Sequence, residues 1–272
     1  MLEHHDFTRP MAQRRMRIYQ LCTAVMTVSA IFFVVGVGTG VLPNSPATAW
    51  IGSLFFVTPF YVALATAWWV EAPGENRTKL EKANEFQMIW CFIAAFGSEI
   101  TWELPWLILD AFGKMDLTAE DRWGYFFYFY NQVDTRYLKS DPALYGMELT
   151  VVGLSLVLLF AGWRIRKAGN GDIAQRIRLQ WLSFASMSAM LTIFVVYYMA
   201  EVRNGFANVR KGFWDIVIIF IYDNMAWFIA PVVLLPLVAQ QIGYLYRRQA
   251  LENAATQMTS VGSQPTAATR TR

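Results

Sequence analysis

Three carboxylates stand where carboxylates are costly. The run "FQMIWCFIAAFGSEITWELPWLILDAFG" places Glu99 and Glu103 four residues apart, and Asp110 follows seven after Glu103. On a helix the first two share a face. An ionised carboxylate inside a bilayer costs several kcal/mol, so such residues usually face the interior of a helix bundle and mark function. Two of them stacked in low dielectric cannot both ionise cheaply, so one is expected to keep its proton near neutral pH as half of a coupled acid/base pair. That arrangement can give a proton to one carbon and remove one from another. The competing structural reading has Glu99 and Glu103 bonded to neighbouring helices or to Arg136. Asp110, nearer the end of the run, is expected at the interface.

Other side chains extend the pattern. Trp102 and Trp106 are also four apart, on an adjacent stripe. In "DPALYGMELTVVGLSLVLLF", Asp141 suits a helix N-cap and Pro142 the first turn, which places Glu148 about two turns in, facing inwards. In "YDNMAWFIAPVVLLP", Asn224 and Trp227 are three apart and share a face, with Pro231 one turn on. An amide and an indole on one inward stripe could orient a hydroxyl and offer a π-face to positive charge.

The elements that must position these groups are membrane helices. Of 272 residues, 56% are hydrophobic and only 16% charged, well below the charged share of soluble domains. The apolar residues gather in runs that meet the length of about 20 needed to span. Six spans are read, at 18–42, 48–70, 86–112, 145–165, 180–200 and 214–245. The fold class is an all-α polytopic bundle. Arg9, Arg14, Arg15 and Arg17 precede the first span, and basic clusters fall in alternate loops and after the sixth, while the loop at 41–49 is uncharged. This bias places both termini in the cytoplasm. The polar, basic residues 1–17 form a tail, and no cleavable signal is expected. The segment 113–144, on the other side, is expected to lie at the interface or cap the bundle through its aromatic run "YFFYFY". Residues 247–272 read as a disordered tail.

Composition also removes several chemistries. The only histidines are His4 and His5, in the N-terminal tail, so histidine-dependent haem, zinc or di-iron chemistry has no ligands and no metal site is expected. Cys22 and Cys91 lie inside apolar runs and read as small buried hydrophobes. The net charge of +3 is accounted for by topology-setting clusters, so no nucleic-acid partner is implied.

Several of these blocks together resemble the emopamil-binding protein family, whose membrane region is called the EXPERA domain. "VDTRYLKSDPALYGMELT" is similar to the family's most characteristic segment at Asp134, Arg136, Tyr137, Asp141 and Glu148. "EITWELPW" places Glu103 on the family's glutamate. "AEVRNGF" resembles its acidic–Arg–acidic/amide–Gly–Phe loop, and "NMAWFIAP" its Asn-x-x-Trp-x-x-x-Pro helix at Asn224, Trp227 and Pro231. The resemblance covers roughly residues 50–245. Two departures stand out. Glu99 occupies the place of the family's histidine, and the first span is additional to the usual five helices. The implied organisation is a tail at 1–17, an added helix at 18–47, a five-helix EXPERA-like domain at 48–246 and a tail at 247–272.

The resemblance implies a cofactor-independent isomerase that shifts a ring double bond of a sterol or related isoprenoid through a carbocation. Glu103, Glu148 and Glu99 would be the catalytic carboxyls. Asn224, Trp227, Trp102, Trp106 and Tyr137 would contact substrate, and Asp134, Arg136 and Asp141 would build the cap. Cationic amphiphiles would inhibit, the bilayer would be the solvent, and homodimerisation stays open. Two other readings compete: a non-catalytic binder or trafficking factor for sterols and cationic lipids, and a proton-coupled transporter, which the lack of an inverted repeat disfavours. The membrane would be the plasma membrane of a bacterium or the endoplasmic reticulum of a eukaryote.

Overall fold

The computed structural model describes residues 4–262, and every regular element among them is helical. Six helical runs are long and apolar enough to cross a membrane, so the chain is a multi-pass helix bundle. The first is α1 (Gln13–Gly38) and the second α2 (Pro46–Trp69). The third span is composite: α3 (Lys79–Phe92), a π-helical segment π1 (Ile93–Glu103), then α4 (Leu104–Ala111). A short α5 (Tyr125–Val133) precedes α6 (Pro142–Ala168) and α7 (Ile173–Arg203). The last span joins a second π segment, π2 (Asp215–Tyr222), to α8 (Asp223–Gly262).

Helix starts follow local chemistry. Thr78 accepts from the N–H of Glu81, and the Glu81 carboxylate accepts from the N–H of Thr78, a capping box that begins α3 seven residues before the apolar run. Asp141 caps α6 by accepting from the N–H groups of Ala143 and Leu144, and Pro142 fills the first turn. At the far end, α8 runs on through 247–262, where the Ser/Thr/Gln composition suggests a disordered tail. Ala, Leu, Gln and Glu in that stretch are good helix formers, and Arg248 pairs with Glu252 one turn on. Residues 263–272 of that tail lie outside the described part of the chain.

Large apolar side chains such as Val28, Ile31, Leu149 and Met199 point outwards, as a lipid-facing surface requires. Polar groups turn inwards instead. Gln87, Gln180 and Gln241, all fully buried, form an amide chain (2.8 and 2.7 Å) that ties α3, α7 and α8 together.

Alternate loops collect at opposite ends. At one end the N-terminal segment meets the turn before α3 and the α6–α7 turn: His5 Nδ1 lies 3.0 Å from Thr78 Oγ1, and Asn170 donates to Asp6. Here α1 is locked by buried ion pairs. Arg15 pairs with Glu75 and with Glu85 (2.8 Å), while Arg77 pairs with Glu85 (2.7 Å) and Glu71 (3.0 Å). At the other end Asn44 donates to the Ala119 carbonyl and Thr135 to that of Asn208. There α5 packs against α1, α2 and π2 and covers that end.

Candidate functional site

Both π segments border one cavity near the cap. Their i→i+5 spacing is seen where Leu104 N–H bonds to the Glu99 carbonyl and Asp223 N–H to that of Ile218. Pro105 supplies a local reason for π1. It has no N–H to offer, and its ring would strike the carbonyl one α-turn back, so the chain widens just before it. In π2, Asn224 Nδ2 donates to the carbonyls of Ile219 (3.2 Å) and Phe220 (3.0 Å), satisfying groups that the wide turn leaves loose. Such wide turns recur at functional sites because they re-aim side chains.

The cavity, taken together with its open mouth, encloses about 1140 Å³. Its walls come from α2, π1, α6, α7 and α8, with Tyr125, Phe126 and Tyr130 of α5 as its roof. The aromatic run of 113–144 therefore caps the bundle. α1 contributes no residue to the walls.

Glu99, Glu103 and Glu148 meet here, one carboxylate oxygen of each lying within 4.8 Å of the others. The four-residue spacing of Glu99 and Glu103 keeps them on one face in the wider π turn as it would in an α turn. Each carboxyl receives one neutral donor. Trp227 Nε1–H reaches Glu99 Oε1 (2.9 Å), the Ser98 hydroxyl reaches Glu103 Oε2 (2.5 Å), and the Tyr137 hydroxyl reaches Glu148 Oε1 (2.5 Å). Burial holds the Tyr137 phenol well above its ordinary range, so it stays a donor. Glu99 is almost fully buried, and its Oε2 has no partner among the described residues. Among the described residues no Lys or Arg pairs with any of the three. Three oxygens so placed can pass a proton among themselves, hold an organic cation, or coordinate a hard metal ion.

The remaining expected residues divide. Trp102, Tyr137, Asn224 and Trp227 line the cavity. Trp106 does not; both indoles meet Tyr137 edge-to-face (5.3 Å for Trp102, 4.9 Å for Trp106), but Trp106 follows Pro105 in α4 and is fully buried. The Asn224 amide is committed to π2 and to the Tyr130 hydroxyl (3.2 Å), so it positions the wall that carries Trp227. Asp134 and Arg136 form a buried cap pair at 2.5 Å, joined by Glu201 (3.3 Å) and the Tyr197 hydroxyl. Arg136 thus pairs away from Glu99 and Glu103. Asp110 sits at the helix end, bonded to Ser140 (2.6 Å).

Sequence reasoning passed over Asp223. It lines the cavity from the α8 side, and its Oδ1 is buried without a partner among the described residues. The signal was a charged residue inside the sixth apolar run, beside the Asn224 and Trp227 that drew attention. Ser98 was missed too, because a hydroxyl in a helix is common and only its neighbour Glu103 gives it meaning.

No family model, no curated protein and no solved structure matches the chain.

Proposed function

We propose that the cavity binds a sterol or a related polycyclic isoprenoid and shifts a ring double bond by proton transfer through a carbocation. The observation that carries this reading is the convergence of Glu99, Glu103 and Glu148, without an arginine or lysine partner among the described residues, in an apolar, aromatic-walled cavity among membrane-spanning helices. The resemblance of the surrounding segments to the emopamil-binding protein family supports it. So does the position of α1 outside the cavity, as expected of a helix added to a five-helix EXPERA-like domain.

The atoms balance without a cofactor. A protonated carboxyl gives its hydrogen to one alkene carbon, and the cation forms on the other. A neighbouring carboxylate then removes a hydrogen from an adjacent carbon, and the C–H electron pair becomes the new double bond. One carboxyl has lost a proton and another has gained one; transfer across the cluster restores the start. Glu103 and Glu148 are the proton carriers in this scheme, and Glu99 is the third member of the relay. Trp227, its N–H held by Glu99, presents its ring to the cation.

With the arginine-rich end facing the cytoplasm, the cap would face the opposite side of a plasma or endoplasmic reticulum membrane.

The test is conversion of a Δ8 sterol by purified protein in deuterated water. Deuterium should enter the product, and Glu103→Gln and Glu148→Gln should each cut turnover by about a hundredfold or more while the protein stays folded. Equal conversion by both variants would sink the proposal. A second reading, binding of a cationic amphiphile without turnover, is favoured by the unpartnered Glu99 Oε2. It expects an ammonium amphiphile to bind, binding to fail in the same glutamine variants, and no sterol to be converted.

A further inference from the structure

A second cavity lies at the arginine-rich end of the bundle, remote from the carboxyl cluster. Together with its open mouth it encloses about 840 Å³ between the N-terminal segment, the start of α1, α3 and the facing ends of α6 and α7. Five arginines line it, Arg9, Arg15, Arg77, Arg166 and Arg176, against three acids, Asp6, Glu81 and Glu85.

The acids are already engaged. Glu85 takes Arg15, Arg77 and the Tyr19 hydroxyl. Glu81 accepts the backbone N–H groups of Asp6 and Thr78 and lies 3.8 Å from Arg9. Asp6 accepts from Thr8 and Asn170. Arg15 and Arg77 are neutralised by this set together with Glu71 and Glu75.

Arg176 is not. Its side chain is 1% exposed, yet among the described residues no carboxylate comes within ion-pair distance of it. Its two bonds go to neutral oxygens, the Gly169 carbonyl (2.8 Å) and Asn84 Oδ1 (2.5 Å), and its guanidinium lies 4.4 Å from the centre of the Phe7 ring. Its Nε–H is buried and has no acceptor among the described residues. A guanidinium stays charged under all ordinary conditions, and burying it without a counter-charge is strongly unfavourable. The exposed Arg166 on the rim likewise has no carboxylate partner among the described residues.

We propose that this cavity is a binding site for a phosphate-type anion, gripped by Arg176 from within and met by Arg166 at the rim. A guanidinium fork matches two oxygens of a phosphate, and the anion supplies the charge that Arg176 lacks. Phe7, Met11, Met88 and Ile165 give the same cavity apolar wall beside the charge. That wall suits either a phospholipid headgroup entering from the bilayer or a soluble phosphorylated compound entering from water.

The experiment uses the full chain in a neutral detergent and reads the unfolding temperature and apparent Kd. One arm adds inorganic phosphate against sodium chloride of equal ionic strength. The other adds phosphatidylglycerol to the micelles against diacylglycerol with the same chains. At least one phosphate probe should raise the unfolding temperature above its control. A response to phosphatidylglycerol alone identifies a headgroup site, and a response to inorganic phosphate identifies a soluble ligand. Arg176→Gln should weaken that binding by about tenfold or more, the loss of a charge-assisted contact, and Arg166→Gln by a few-fold. Without probe, Arg176→Gln should unfold at the same or a higher temperature, because an uncompensated buried charge has gone. No shift with either probe would overturn the proposal. So would an unchanged shift in Arg176→Gln whose probe-free stability has fallen, which is the behaviour of a structural cation. Should Arg176→Gln fail to fold, Arg176→Lys, which keeps the charge and gives up the fork, is measured beside Arg166→Gln. A wild-type response in both would end the idea.

Discussion

Glu85 and the pair Glu99 and Glu103 stand on the same membrane span, Glu85 and Glu99 buried and Glu103 half-buried, yet only Glu85 meets arginine. At the basic end every carboxylate of the network has a guanidinium against it, and the pairs stitch α1 and the turn before α3 to the bundle. About four helical turns further on, Glu99, Glu103 and Glu148 face one another with only neutral donors around them among the described residues. The chain carries arginines enough, and Arg136 lies in the cap just beyond Tyr137. Its partners there are Asp134 and Glu201. A carboxylate locked by arginine has little freedom to exchange protons or accept a cation, so the paired set builds and the unpaired set is available for chemistry.

The comparison breaks first on activity. Under the isomerase proposal, Glu103→Gln or Glu148→Gln should cut turnover by about 10²–10⁴-fold, the usual worth of positioned acid–base groups. Their unfolding temperatures should hold or rise, since an amide relieves repulsion among clustered carboxyls. A large loss of stability in both variants would place the cluster in the same structural category as Glu85.

On stability the order reverses. Glu85→Ala leaves Arg15 and Arg77 buried with fewer partners, and the expected cost is about 3–5 kcal/mol, measured by denaturation in detergent. Turnover per folded molecule should be unchanged, because α1 and this network contribute no wall to the cavity that holds Glu99, Glu103 and Glu148. A smaller effect is expected at Gly97. An added Cβ would sit 2.8 Å from Phe60 Cζ and 3.3 Å from Ile93 Cγ2, so Gly97→Ala should cost about 1–3 kcal/mol and push the Phe60 ring into the cavity. Unchanged stability and unchanged ligand affinity in that variant would mean that Phe60 moves freely.

The six spans are legible in the sequence because lipid demands long apolar runs, and the Glu99–Glu103 pairing because a four-residue spacing survives the change from α to π turns. Boundaries were harder. α3 begins at Lys79 rather than 86, since the Thr78–Glu81 capping box starts the helix in polar sequence before the apolar run. The π segments carry no periodic signature, and Pro105 is the one local hint. Their consequence is felt at Trp106, which the uniform-helix picture places beside Trp102 in the cavity and which is buried against Tyr137 outside the cavity lining instead. The approach of Glu148 to the other two is a tertiary contact between α6 and π1. An inward-facing position follows from its helix alone, but the distance depends on how two helices pack.

The smallest effect tests the paired region by pH. Hydrogen bonding and charge from Arg15 hold the Glu75 carboxyl at about 2, against an ordinary 4.5. A carboxyl depressed in the folded state stabilises it fully above the unfolded value and loses that contribution as pH falls through the folded one. The protein should therefore lose stability progressively between about pH 4.5 and 2. Glu75→Gln should start from a lower unfolding temperature at neutral pH and show a shallower acid slope, measured in detergent across that window. An acid slope identical to that of the natural protein would mean that Arg15 is held by Glu85 alone. The division between carboxylates paired with arginine and an unpaired carboxyl cluster would then rest on Glu85 and its two arginines.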